Sequence, residues 1–225
     1  MRDLILVLAD SKRLLGTRYA EWILGAPELE AGIACASMAQ DEWGHGRLLY
    51  ALLKEFGDDP DRLEHGREPN EYRNIEVLDK APDSWPALIV LNALVDTALT
   101  VQLEALRESD HAPLRQRVGK LLDEETFHAQ HGAAWLKRLA SEARPYIEQA
   151  LPVILRWYGP GADGDKLREQ FLARIKGLID GAPVPSALDF KDFDPVTRRT
   201  KSGSAPDADT IRRVRGDKNR QFLMD

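Results

Sequence analysis

The chain has 225 residues, 43 % of them hydrophobic and 30 % charged, which is enough to bury one sizeable core and predicts one domain with a tail. Its formal charge of -6 argues against a nucleic-acid partner, because phosphate binding needs concentrated Lys and Arg. Cys35 is the only cysteine, so no internal disulfide can form, and its neighbours Ile33, Ala34 and Ala36 predict a buried thiol in a reducing cytoplasm. No apolar run reaches the ~18 residues of a membrane span. The longest, around Ala87–Val95, contains Asn92, and Met1-Arg2-Asp3-Leu4 does not open a secretory signal.

The first predicted helix covers Asp3–Leu24, with Leu4, Leu8, Leu15, Tyr19, Trp22 and Ile23 at helical spacing. Gly25-Ala26-Pro27 ends it, and a second helix is expected over Glu28–Phe56, opened by Glu28 and Glu30. The charged stretch Gly57–Ser84 reads as too polar for core. A third, very apolar helix is expected at Trp85–Glu108 and a fourth at Leu114–Leu139, separated by the turn Ser109–Pro113. Shorter helices follow at Ala143–Trp157 and Asp165–Ile179. Two tight hairpins joined by a link of about 28 residues give the one-crossover order of an all-α, ferritin-like four-helix bundle. The expected domain is 1–180, and 181–225 reads as an extended arm. Its Arg212, Arg213, Arg215 and Arg220 suit solvent or subunit docking rather than nucleic acid.

Glu42-Trp43-Gly44-His45 recurs in form as Glu125-Thr126-Phe127-His128, each copy inside a long predicted helix. At i and i+3 the carboxylate and imidazole share a helix face, and two such turns supply half the ligands of a carboxylate-bridged dimetal centre. Three of the five histidines have Glu three residues earlier. The third copy, Glu108-Ser109-Asp110-His111, runs into Ala112-Pro113 and reads as a helix cap.

The second hairpin permits a check of height. Asp96 and Glu125 flank the Ser109–Pro113 turn almost symmetrically, each roughly 20 Å along its helix at 1.5 Å per residue. They should face one another, and Asp96 lies among Leu91, Ala93, Leu94, Val95 and Ala98, where an unneutralised charge is expensive. The same count back from Glu42 reaches Lys12 and Arg13. Glu21 lies roughly 13 Å too far along the helix, and Asp10 points to nearly the opposite face.

These segments resemble the ferritin-like subunits of the bacterial phenylacetyl-CoA epoxidase of phenylacetate catabolism, over about residues 1–180. The resemblance rests on Gln40-Asp41-Glu42-Trp43-Gly44-His45-Gly46, Leu94-Val95-Asp96 and Glu124-Glu125-Thr126-Phe127-His128, which look like the catalytic subunit's metal segments. The first helix, Leu8-Ala9-Asp10-Ser11 with Ala20-Glu21-Trp22, looks at least as much like the structural sister subunit. By this resemblance five metal ligands fall on Glu42, His45, Asp96, Glu125 and His128, with Glu42, Asp96 and Glu125 as the catalytic carboxylates. The sixth position carries Lys12. Either Lys12 swings away and water completes the second iron, or its ammonium replaces that ion, pairing with Glu42 and even Asp96.

The resemblance implies a cytoplasmic non-haem di-iron oxygenase subunit of a multicomponent monooxygenase. Its two irons, or one if Lys12 displaces the other, would activate dioxygen to epoxidise or hydroxylate an aromatic CoA thioester such as phenylacetyl-CoA. Its partners would be a sister ferritin-like subunit, or a second copy in a homodimer, and a separate reductase, since no Cys cluster or Gly-rich dinucleotide motif is present. Lys12 favours a rival, a non-catalytic structural subunit with a degenerate or single-metal site. A ferroxidase is a third reading.

Overall fold

The computed structural model describes residues 1–179 and 181–217. Among the described residues the chain is all-α apart from a small two-stranded ribbon, and its element order is that expected of a ferritin-like protein: hairpin, long crossover, hairpin, further C-terminal helices. It divides into two compact units, Met1–Ala81 with the described part of Gly203–Asp225, and Pro82–Ser202.

In the first unit, α1 (Arg2–Glu21) and α2 (Leu29–Leu52) form the hairpin, and α3 (Pro60–His65) lies in the crossover. Helix α1 is buried continuously from Ile5 to Tyr19, polar residues included, so its side chains must be satisfied locally. Ser11 Oγ donates to Val7 O at 2.7 Å and accepts from Ile75 N at 3.1 Å, and Arg18 Nη2 donates to Leu78 O at 2.8 Å. Asp10 accepts from Tyr50 Oη at 2.6 Å, from Arg73 N at 2.8 Å and from both terminal nitrogens of Arg67, whose guanidinium also lies 4.1 Å over the Tyr72 ring. The crossover is therefore not excluded from the core as its polarity suggested. Arg67, Tyr72, Asn74, Ile75 and Leu78 are all buried, because the Asp10 carboxylate neutralises the one cation among them that it meets.

In the second unit, a helical rod of 24 residues, Trp85–Glu108, packs against α6 (Ala112–Arg138). The rod comprises α4 (Trp85–Val90), a π-helical turn at Leu91–Asp96, α5 (Thr97–Ala105) and a 3₁₀ end. It is long and apolar enough to cross a membrane, which counting uninterrupted apolar runs overlooked, but 89 % of its most apolar window is buried as core. Helices α7 (Ala140–Trp157) and α8 (Ala162–Ile175) follow, the first containing Pro145 and Pro152.

The arm is not extended throughout. In the second unit Phe193–Asp194 (β1) pairs antiparallel with Arg199–Thr200 (β2). In the first unit α9 (Ala208–Val214) is capped by Asp207, which accepts from Thr210 N at 2.8 Å. Arg213 and Arg215 contact Glu21 at 2.8 Å and Glu68 at 2.6 Å, so these arginines serve the chain's own carboxylates. Arg220 lies outside the described residues.

Gly132 on α6 faces the π-helical turn, and a Cβ there would lie 2.9 Å from Asn92 Oδ1 and 3.1 Å from Ala93 backbone atoms. Gly132→Ala should therefore cost about 1–3 kcal/mol by overpacking, read as a fall in the urea midpoint. An unchanged midpoint would show that the rod and α6 do not rely on this approach.

Candidate metal centre

Helix α6 has a helix-forming sequence with Glu125 and His128 three residues apart, so both side chains leave the same face. The rod brings Asp96 to them at the last residue of its π-helical turn, a conformation that inserts an extra residue and re-aims the side chains beyond it. His128 Nδ1 is 2.9 Å from Asp96 Oδ2 and 3.7 Å from Glu125 Oε2. All three side chains are buried, and one ligand atom from each lies within 4.8 Å of the others.

Their surroundings hold this arrangement. Thr100 Oγ1 is 2.9 Å from Asp96 O and 3.2 Å from Glu125 Oε2, so its single proton steadies one acceptor at a time. A cavity of about 20 Å³ lined by Asp96, Thr97, Thr100, Glu125, Ala129 and Arg174 has room for about one water or ion. Asn92 Nδ2 donates to His128 O at 3.1 Å, and Asn92 Oδ1 lies 3.0 Å from His131 Nδ1. Burial, and then the neighbouring His128, push His131 down to about 4, so its ring is neutral at pH 7. Nδ1 then carries the proton given to Asn92, and Nε2 is a lone pair buried among Trp85, Phe127 and Trp135.

The first unit carries the other expected residues. Glu42 and His45 lie buried on α2, with His45 Nδ1 3.9 Å from Glu42 Oε1. Lys12 does not swing away: its Nζ lies 2.9 Å from Glu42 Oε1, and both side chains are 0 % exposed. Glu21 pairs with Arg18 and Arg213 instead, while Asp10 is committed to Arg67. His111, in the third Glu-x-x-His copy, caps α6 by accepting from Leu114 N at 3.2 Å. Cys35 is fully buried, and burial pushes its thiol up to about 12, which leaves it unreactive.

The structure thus brings Asp96, Glu125 and His128 together in one unit, and Lys12, Glu42 and His45 in the other. Sequence reading missed the roles of Thr100 and His131. His131 carried a signal, since His128 and His131 are also i and i+3; Thr100 carried none beyond its spacing of four from Asp96. The donor set fits a divalent metal. Two carboxylates balance its charge, and ligand atoms within 4.8 Å of one another suit bonds of about 2.0–2.3 Å with little adjustment.

Removing Lys12 takes a cationic partner from a buried carboxylate, so Lys12→Met should destabilise by about 3–5 kcal/mol. Lys12→Met with Glu42→Gln should recover most of that loss in a urea double-mutant cycle. Additive losses would show that the pair is not coupled. His131 has a folded value of about 4, below its ordinary 6.5, so the neutral ring contributes stability above pH 6.5 that is lost as pH falls toward 4. The wild type should lose more stability across that window than His131→Gln. Parallel pH profiles would contradict this.

A profile of the phenylacetic acid catabolic protein family matches residues 1–158. The C component of the 1,2-phenylacetyl-CoA epoxidase of Escherichia coli (strain K12) is 26 % identical over 165 residues, 71 % of this chain and 66 % of that protein. The A component of the same epoxidase is 26 % identical over 139 residues, 62 % of this chain and 45 % of that protein. The chain thus matches less than two thirds of the length of either relative. It belongs to the phenylacetic acid catabolic protein family.

Proposed function

We propose that this member of the phenylacetic acid catabolic protein family is a ferritin-like component of a multicomponent oxygenase acting on an aromatic CoA thioester such as phenylacetyl-CoA. In this reading iron is held by Asp96, Glu125 and His128, and the Lys12 ammonium takes the charge position of a second ion at Glu42. Family membership supports a role in phenylacetate catabolism. The observation that carries the single-ion reading is the 2.9 Å contact of Lys12 with Glu42, both fully buried. A second cation beside that ammonium would be repelled in a poorly screened interior.

Imidazole and carboxylate donors suit iron or manganese better than thiolate-seeking metals. Iron, when bound there, would supply the activation of dioxygen. The chain's own residues do the rest. Asp96 and Glu125 provide the negative charge that holds the ion, Thr100 restrains Glu125, and Asn92 fixes the α6 backbone at His128. Burial of the three donors limits the space beside them to the cavity of about 20 Å³. The relatives are named as components of one epoxidase, which supports a sister ferritin-like chain as partner. Electrons would come from a separate reductase, and the cysteine count suits the cytoplasm. A two-iron oxygenase is the second reading, favoured because Glu42 and His45 persist, buried and three residues apart.

Elemental analysis after anaerobic loading with Fe(II) decides between them. Wild type should retain one iron per chain, Glu125→Ala none, and Glu42→Ala one, while Lys12→Glu should gain a second. Two irons in the wild type, lost equally from Glu125→Ala and Glu42→Ala, would overturn the single-ion reading in favour of the oxygenase pair. No iron in any variant would leave a metal-free scaffold.

A further inference from the structure

The first unit contains an arginine-walled pocket that the metal residues do not explain. Among the described residues its cavity of about 510 Å³ is lined by Arg13, Arg47, Arg213 and Arg215, with His65, Thr17 and Trp43, against a single lining carboxylate, Glu21. This volume lies in the range of small-molecule sites, roughly 300–1,000 Å³.

Trp43, the residue inside the Glu42/His45 turn that the metal reading leaves unused, forms a half-buried aromatic surface. Gly16 on α1 permits it: a Cβ there would lie 2.7 Å from Trp43 Cδ1, so the indole seats directly on the α1 backbone. The Arg13 guanidinium lies 5.6 Å from the indole centroid and is anchored by its Nη2 donating to Val214 O at 3.0 Å. Arg215 is anchored likewise through Nε to Arg67 O at 2.9 Å. Main-chain carbonyls thus align both guanidiniums, and Arg13 also lies 3.4 Å from Glu64 and Arg215 2.6 Å from Glu68. Arg213 answers Glu21 and Asp209, whereas Arg47 is 70 % exposed with Glu64 at 3.6 Å, beyond hydrogen-bond length. Each guanidinium has five N–H donors, so those at the rim retain donors for an incoming anion. The C-terminal arm, through α9, builds one wall of this pocket.

We propose that this pocket binds a nucleotide-type ligand, its phosphates on the arginines and its ring against Trp43. Bidentate guanidinium–phosphate contacts give the anion selectivity, and the indole gives the preference for a ring over a bare phosphate. The shared chemistry, a base beside phosphates, is found in a free nucleotide and at the nucleotide end of CoA. The proposal is independent of iron and of the oxygenase reading.

Isothermal titration of the full chain at low salt, with ADP, pyrophosphate and CoA as probes, tests it. ADP should bind at least about tenfold more tightly than pyrophosphate, a factor worth about 1.4 kcal/mol. Arg47→Glu, at an exposed position, should weaken both by about tenfold or more, and Trp43→Leu should weaken ADP while sparing pyrophosphate. Tighter binding of CoA than of ADP would support the CoA source, and equal binding the free nucleotide. The proposal is overturned if neither ADP nor CoA binds, if pyrophosphate binds as well as ADP, or if Arg47→Glu binds like the wild type. Circular dichroism establishes that each variant is folded, and Arg47→Glu decides alone if Trp43→Leu is not.

Discussion

A carboxylate taken out of water must be answered by positive charge within reach, or it destabilises the helices that carry it. This constraint organises both units. Asp10 is answered by Arg67, which draws the crossover onto α1; Glu42 is answered by Lys12, which ties α1 to α2. Asp96 meets His128, which links the rod to α6. The third case differs from the first two. An imidazole is a weaker answer than a guanidinium or ammonium, and a second carboxylate, Glu125, lies 3.7 Å from the same nitrogen. Two acids beside one imidazole form a donor set to which a divalent ion would add its charge. In the first unit an ammonium stands beside the carboxylate. The two Glu-x-x-His turns share one spacing and differ in what stands beside their carboxylates, an ammonium at Glu42 and an imidazole at Glu125.

Much of this was legible in the residues alone. Apolar spacing located the long helices, and the symmetry of Asp96 and Glu125 about the Ser109–Pro113 turn placed them at one height. The count back from Glu42 to Lys12 was legible for the same reason: hairpin geometry turns sequence separation into height. The π-helical turn at Leu91–Asp96 was not. Its residues are ordinary helix-compatible apolar ones around Asn92, and the close approach of α6 to it at Gly132 is a tertiary contact with no local sequence signal. The burial of Arg67 was equally hidden, since a charged stretch reads as solvated unless its partner, 57 residues away, is known. The helix at Ala208–Val214 escaped notice because it is short and set in a Pro- and Asp-rich arm, where the cap by Asp207 outweighs composition.

Local irregularity and function coincide in the second unit. The π-helical turn carries both Asp96 and Asn92, one facing the imidazole of His128 and the other its backbone carbonyl. The two residues are four apart and leave the rod on the side that meets α6. In the first unit the arm does comparable work: it folds back as α9 and lends arginines to a pocket on α1 and α2, giving the C-terminal segment a structural reason to carry a basic cluster.

The central claim is that Lys12 holds the charge position of a second ion, so the two turns are not equivalent metal sites. Anomalous diffraction at the iron edge from crystals grown with Fe(II) tests this most directly. The account predicts one peak per chain, ligated by Asp96, Glu125 and His128, with Lys12 still paired to Glu42. A second peak bonded to Glu42 or His45, about 3.5–4 Å from the first as in two-metal centres, with Lys12 displaced from Glu42, would contradict it.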